Sequence, residues 1–443
     1  MKTFKLGGVH PEENKISANK VIEVLPLPKQ ACVPVTQHLG APSTIVVEKG
    51  ATVKVGQLLA KSEGFIGANT HSPFSGKVSK IDTIIDTSGY RRPAVFIDVE
   101  DDEWDESIDR SSDIRYEINL SRLEIIDRIK TMGIVGLGGA TFPSHVKLMV
   151  PEGKKAMVLI INGVECEPYL TSDHRLMLER GEEMMIGVSI LMKALEVNKA
   201  IIGIENNKPD AINHLKSLCS KFNGIEICPL KVKYPQGAEK QLIKAAVNRE
   251  VPSGKLPIEV GCVVNNAGTA FAVYEAVQKN KPLIERVITV TGKSVKKSCN
   301  LMARIGTSVS ELIDFAGGLP EDTGKVISGG PMMGKALNVL DIPVMKGTSG
   351  ILIMTQKESK RVVVQNCIRC GKCITVCPMG LEPYKLAQLS EIENYEMSES
   401  EKVLDCIECG SCQFTCPAGR PLLDYVRLGK YEVGQIIRNR TKK

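Results

Sequence analysis

Eight of the fourteen cysteines fall near the C-terminal end, in two runs of one spacing. Cys367, Cys370, Cys373 and Cys377 read C-x2-C-x2-C-x3-C-P, and Cys406, Cys409, Cys412 and Cys416 repeat the pattern. Thiolates at this spacing wrap a polynuclear iron–sulfur core. Gly371 and Gly410 allow the tight turn that brings backbone amides toward its sulfurs. Zinc also takes paired C-x2-C motifs, but with two ligands from each pair and without a third step or a following proline. Clustered thiols in a chain expected to stay in the cytoplasm point to metal rather than to disulfides.

The doubled run resembles the two-cluster bacterial ferredoxins, in which the fourth cysteine of each run ligates the other cluster. On that pattern Cys367, Cys370, Cys373 and Cys416 hold one [4Fe–4S] cluster, and Cys406, Cys409, Cys412 and Cys377 hold the second. The apolar stripe Leu386, Leu389 and Ile392 predicts helices between the runs, with a capping box over 398–401.

A second chemistry-bearing feature is Gly136-Leu137-Gly138-Gly139, whose bared amides suit a phosphate. Lys147 follows within a turn or two. The loop is neither a Walker loop nor G-x-G-x-x-G in the dinucleotide register. Around it, apolar strands at 156–162 and 199–204 alternate with a helix at 184–194, a βαβ rhythm that predicts an open α/β sheet. Ligands of such sheets bind beyond the carboxyl ends of the strands, where Asn162, Glu165 and Glu167 fall. Competing readings are a plain turn for the glycines, a helix cap for Asn265-Asn266, solvated loop acids for Glu165 and Glu167, and core packing for Tyr234.

GLGGATFPSHVK, residues 136–147, resembles the FMN-phosphate loop of the NADH-oxidising flavoprotein subunit of respiratory complex I. Three further segments follow in that family's order: NGVECEP at 162–168, YPQGAE at 234–239 and VNNAGT at 264–269. With the cysteine runs added, essentially the whole chain resembles the RnfC subunits of the Rnf complexes, membrane-bound ferredoxin:NAD oxidoreductases. The resemblance implies FMN, two [4Fe–4S] clusters and NAD(H) as substrate. It implies FMN phosphate held by Gly136, Gly138, Gly139 and Lys147. Asn162, Tyr234, Gly237, Asn265, Asn266 and Thr269 would line the ribityl chain and ring, with Glu165, Glu167 and Glu239 on the isoalloxazine or nicotinamide side. Leu137, Val164 and Ala238 depart from the family pattern, standing in place of Arg, Asp and Glu. The related alternatives are a soluble cobalamin reductase of similar architecture and a flavin-free iron–sulfur adaptor.

The remaining segments frame these sites. Residues 40–100 resemble a lipoyl/biotinyl barrel-sandwich, but the tip Gly64-Phe65-Ile66-Gly67 lacks the carrier lysine, so a scaffold is expected rather than a swinging arm. The acidic stretch 100–106 reads as a solvated linker. Residues 284–353 are expected as a β-grasp spacer on the family pattern, with a helix at 310–316 stopped by Gly317-Gly318. The basic tail, Arg427, Lys430, Arg438, Arg440, Lys442 and Lys443, is expected to be solvated or partner-facing.

The expected architecture is therefore an α/β multidomain chain in four units. These are an unmodified barrel-sandwich hybrid at 1–110, a Rossmann-like FMN/NADH domain at 111–280, an SLBB-like β-grasp insert at 281–355 and a helical two-cluster ferredoxin domain with its tail at 356–443. A net charge of +6 and 4% aromatics give no footprint for nucleic acid. With no run of 18 apolar residues, attachment to a membrane is expected to be peripheral, at its cytoplasmic face, through the other Rnf-type subunits.

Overall fold

Four short apolar strands line up in parallel at the centre of the chain, in the order Ile225–Leu230, Ala200–Glu205, Val158–Asn162, Cys262–Asn266. Alternate residues of one strand enter different cores. Leu159 and Ile161 pack with the helices Arg122–Thr131, Gly181–Leu195 and Ala267–Gln278, while Val158 and Ile160 pack with the helix Glu239–Val247. Burial on both faces is why these strands read as continuous apolar runs. Gly187 lets two of the helices touch, since a Cβ there would fall 1.8 Å from the carbonyl oxygen of Ala270. The structure, a computed structural model, describes residues 1–86 and 89–441; Lys442 and Lys443 of the basic tail lie outside the described residues.

Ahead of this sheet stand two small antiparallel sheets. One runs in the order Gln30–Pro34, Arg91–Val99, Gly76–Ile85, Thr52–Val53, and the other joins Thr44–Ile45, Leu58–Lys61 and Thr70–His71. They close over Val33, Leu59, Phe74, Val78, Val95 and Ile97. The lysine-free tip is docked. Asn69 Nδ2 donates to the Thr131 carbonyl at 3.1 Å, and His145 Nε2 lies 3.3 Å from the Phe65 carbonyl.

The third unit is a six-stranded mixed sheet in the order Ile22–Val24, Cys299–Arg304, Glu285–Thr291, Gly350–Thr355, Thr323–Ser328, Lys335–Ala336. Its helix, Val309–Phe315, ends where Gly318 N–H donates to the Ile313 carbonyl. The first 24 residues lie outside the barrel. Lys2 bridges Leu230, Val9 bridges Tyr234, and Ile22–Val24 forms the edge of the third sheet. The acidic stretch is likewise no free linker. Val55 pairs with Trp104, Asp102 with Arg304 and Glu103 with Lys54.

Small helices build the fourth unit, with Leu386, Val403, Leu422 and Val426 in its core. Asn394 caps the helix Tyr395–Ser400, and Ser398 sits inside that helix with its hydroxyl on the Asn394 carbonyl, so the cap lies four residues earlier than expected. In the last helix, Leu422–Thr441, Arg427 and Lys430 fold back onto Glu408. No helix among the described residues is long and apolar enough to cross a membrane.

Candidate functional site: a glycine loop and two thiol sets

The glycine loop leaves the bridge between Val135 and Pro143 and carries Gly138 and Gly139 into solvent. A Cβ at Gly139 would meet nothing within 4 Å, and one at Gly138 only the Asn266 side chain. Two residues pin the loop from below. Leu137 N–H donates to Thr269 Oγ1 at 2.9 Å, and buried Arg286 donates to the Leu137 carbonyl at 3.3 Å. Burial pulls the Arg286 guanidinium down to about 10. Sequence reasoning passed over Arg286 because it lies at the start of the third unit, 149 residues from its partner. The Leu137 side chain, where the related family carries Arg, is buried in the core of the α/β domain.

At the carboxyl ends of the strands, Asn162 and Asn266 are register partners. Asn162 Nδ2 donates to the Gly237 carbonyl at 2.7 Å. Asn266 Oδ1 caps the helix Ala267–Gln278 through Gly268 and Thr269 N–H, and its Nδ2 donates to Asp173 at 2.7 Å. The Asp173 carboxyl is pushed up to about 7, by burial first and then by Glu165. Lys147, on the short helix after the loop, donates to Glu239 at 2.8 Å and to the Val264 carbonyl at 2.9 Å. Asn265 Nδ2 is buried and has no hydrogen-bond partner among the described residues. An orphaned donor, a free glycine ridge and a lysine at one sheet end fit a phosphorylated flavin. A cleft of about 310 Å³ opens on Gly139–Thr141, faced by Gln37 and His38 on one side and Gly347-Thr348 on the other.

Three acids and a phenol of the expected set make other contacts. The Glu165 carboxylate accepts Asp173 and His174 N–H and so caps the helix Ser172–Glu179. Glu167 accepts Met332 and Met333 N–H from the third unit, and burial pushes its carboxyl up to about 7. Lys15 threads between them, donating to the carbonyls of Glu165, Glu167 and Leu170, and burial pulls it down to about 8. Tyr234 OH donates to the Cys409 carbonyl at 2.8 Å. Burial pushes its phenol far above its ordinary range.

The two cysteine runs fold alike. Arg369 and Glu408 take φ of +54° and +56°, and Gly371 and Gly410 take +71° and +77°. Cys406, Cys409, Cys412 and Cys377 line one cavity. Burial, and after it the neighbouring thiols, pushes Cys406 up to about 11 and Cys412 higher still. Glu408 and Leu381 N–H approach the sulfurs of Cys406 and Cys377 at 3.4 Å. Among the described residues no three such side chains converge as on a single ion. Thiols ringing a void, with amides aimed at sulfur, fit a cubane, whose binding would release their protons. In the other set Cys373 and Cys416 pack on the helical core, whereas Cys370 is exposed.

Comparison with known proteins agrees with this division. The RnfC barrel sandwich hybrid domain family matches residues 2–103, the Nuo51 FMN-binding domain 129–275, the SLBB domain 287–336 and the 4Fe-4S dicluster domain 354–422. The RnfC-type subunit of the proton-translocating ferredoxin:NAD(+) oxidoreductase complex of Clostridium ljungdahlii is 48% identical over 443 residues, covering 98% of this chain and 94% of that one. Its counterpart in the Na(+)-translocating complex of Acetobacterium woodii is 45% identical, covering 97% of each chain. The counterpart in the ion-translocating oxidoreductase complex of Rhodobacter capsulatus is 40% identical, covering 87% of this chain and 75% of that one. An NAD+-reducing [NiFe]-hydrogenase structure superposes with TM-score 0.51 at 17% identity, over 71% of this chain and 63% of that one, a likeness of fold alone. The chain belongs to the RnfC family, whose members are subunits of the ion-translocating ferredoxin:NAD(+) oxidoreductase complexes.

Proposed function

We propose that this chain is the NAD(H)-reacting electron-transfer subunit of a membrane-bound, ion-translocating ferredoxin:NAD+ oxidoreductase. It is an oxidoreductase that uses FMN and two [4Fe–4S] clusters, and its partners are the other subunits of the complex. The observation that carries the reading is the juxtaposition of a glycine ridge at the α/β sheet end with two ferredoxin-type thiol sets, joined through the Tyr234–Cys409 hydrogen bond. Bound flavin supplies the exchange between a hydride pair from nicotinamide and the single electrons that iron–sulfur clusters carry.

The chain's own residues bind, orient and space. Gly136, Gly138, Gly139 and Lys147 hold the phosphate, and Glu239 keeps the lysine in place. Asn162, Gly237, Asn265, Asn266 and Thr269 line the flavin, with Asn265 Nδ2 as the free donor. Glu165 and Glu167 act through the backbone they hold, and Tyr234 ties the flavin unit to the second cysteine run. Cys367, Cys370, Cys373 and Cys416 ligate one cluster, and Cys406, Cys409, Cys412 and Cys377 the other. The latter stands nearer the flavin, because Cys409 touches Tyr234 and the Cys377 peptide lies against Gly7. The functional units are 1–110, 111–280, 281–355 and 356–443, and the complex sets this protein on the cytoplasmic face as a peripheral component. Anaerobic purification with flavin extraction and iron analysis tests the reading. Flavin together with clusters supports it, and a chain that stays flavin-free after reconstitution refutes it.

A further inference from the structure

We propose that the surface around Cys370 is the docking face for an acidic redox protein, which meets the chain where its outer thiol set reaches solvent. Val362, Val363, Val364 and Ile368 are 68%, 79%, 55% and 68% exposed. An extended run over a core hides every second side chain; here three successive valines face water. The segment is not adrift. Gln365 N–H donates to the Ala418 carbonyl at 2.9 Å, and Val362 lies against Gly419, just beyond the ligand Cys416. A fixed apolar patch of this kind marks an interaction site.

Its rim is of one sign. Residues 359–381 contain Lys360, Arg361, Arg369 and Lys372, all exposed, and neither Asp nor Glu. The nearest acid paired to them is Asp424, 3.4 Å from Arg361, with both side chains largely in water. An apolar centre inside a cationic rim is the anatomy of a transient interface that steers an acidic partner. The exposed thiol decides the class of partner. A lipid surface would take the cations but make no use of Cys370, and a second copy would set one cationic rim against another. The second cysteine run faces inward, with Cys409 buried beneath Tyr234. The first run is therefore the one that a partner can approach.

The inference rests on the electron-transfer reading, and its test is separate from that reading because it measures contact. Hydroxyl-radical footprinting compares the holo chain alone with the assembled membrane complex. Several-fold lower labelling of 360–372 in the complex is expected, and undiminished labelling overturns the proposal. An acidic two-cluster ferredoxin serves as a second probe, using Lys360→Glu/Arg361→Glu and, separately, Val363→Asp. With flavin and iron content unchanged, the charge reversal should slow association about tenfold and flatten its salt dependence. Unchanged association, or loss of anionic-vesicle binding or of self-association in its place, overturns the proposal.

Discussion

The Tyr234 phenol and the Cys409 carbonyl are joined by a 2.8 Å hydrogen bond, so the rim of the flavin sheet touches the peptide of a cluster ligand. Tyr234→Phe leaves that carbonyl buried and without its donor, a cost of about 1–3 kcal/mol. Iron content should be retained and NADH should still reduce the flavin, while passage of electrons to the clusters slows in stopped-flow spectra. Equal rates in both steps would remove Tyr234 from the link.

Thr269 fixes the height of the glycine loop through Leu137 N–H. Thr269→Val keeps the shape but strands a buried donor, and a loss of about 1–3 kcal/mol in unfolding free energy is expected, with weaker flavin retention. Thr269→Ser restores the hydroxyl and should recover most of both. Denaturant titration alongside flavin analysis separates the two variants.

Lys147 is held between Glu239 and the Val264 carbonyl and so stands ready beside the glycine ridge. Lys147→Met removes a charge-assisted bond, and flavin affinity should fall by roughly tenfold to a hundredfold, read by fluorescence quenching on FMN titration. Unaltered affinity would place the phosphate elsewhere.

These contacts divide into those the chain announces and those it conceals. Ligation at Cys406, Cys409 and Cys412 is legible because the ligands are three residues apart and their spacing is itself the geometry. The cap at Asn266 is legible because its partners are two and three residues on. Lys15 is not, because the carbonyls it holds lie 150 or more residues away and any buried lysine looks exposed in a sequence. Glu167 looks like a cofactor-facing acid until the turn at Met332-Met333 is folded onto it. The N-terminal strand Ile22–Val24 was hidden for the same reason. A three-residue edge strand has no pattern of its own and takes its place from Cys299–Arg304.

Lys346 joins three units, donating to the Asn69 and Gly133 carbonyls while its own N–H donates to Gln37. Burial pulls its amine down to about 7. The unfolded chain therefore holds this proton up to its ordinary value near 10.5 while the folded chain sheds it from about 7. Stability should rise with pH across that window, by at most about 1.4 kcal/mol per pH unit from this group. In Lys346→Met that rise should disappear from urea titrations run at a series of pH values. A slope identical to that of the parent chain would show that the amine titrates normally.

The central claim is that a flavin in the α/β cleft links NADH to the thiol-bound clusters of the same chain. Anaerobic NADH titration of the reconstituted chain, following flavin and iron–sulfur absorbance together, tests it most directly. The expected result is roughly one FMN and about eight irons per chain, with both chromophores bleached in the parent. In Cys370→Ala the flavin should bleach while onward transfer is blocked. Clusters that NADH reduces with no flavin bound, or a bound flavin that NADH leaves oxidised, would contradict the account.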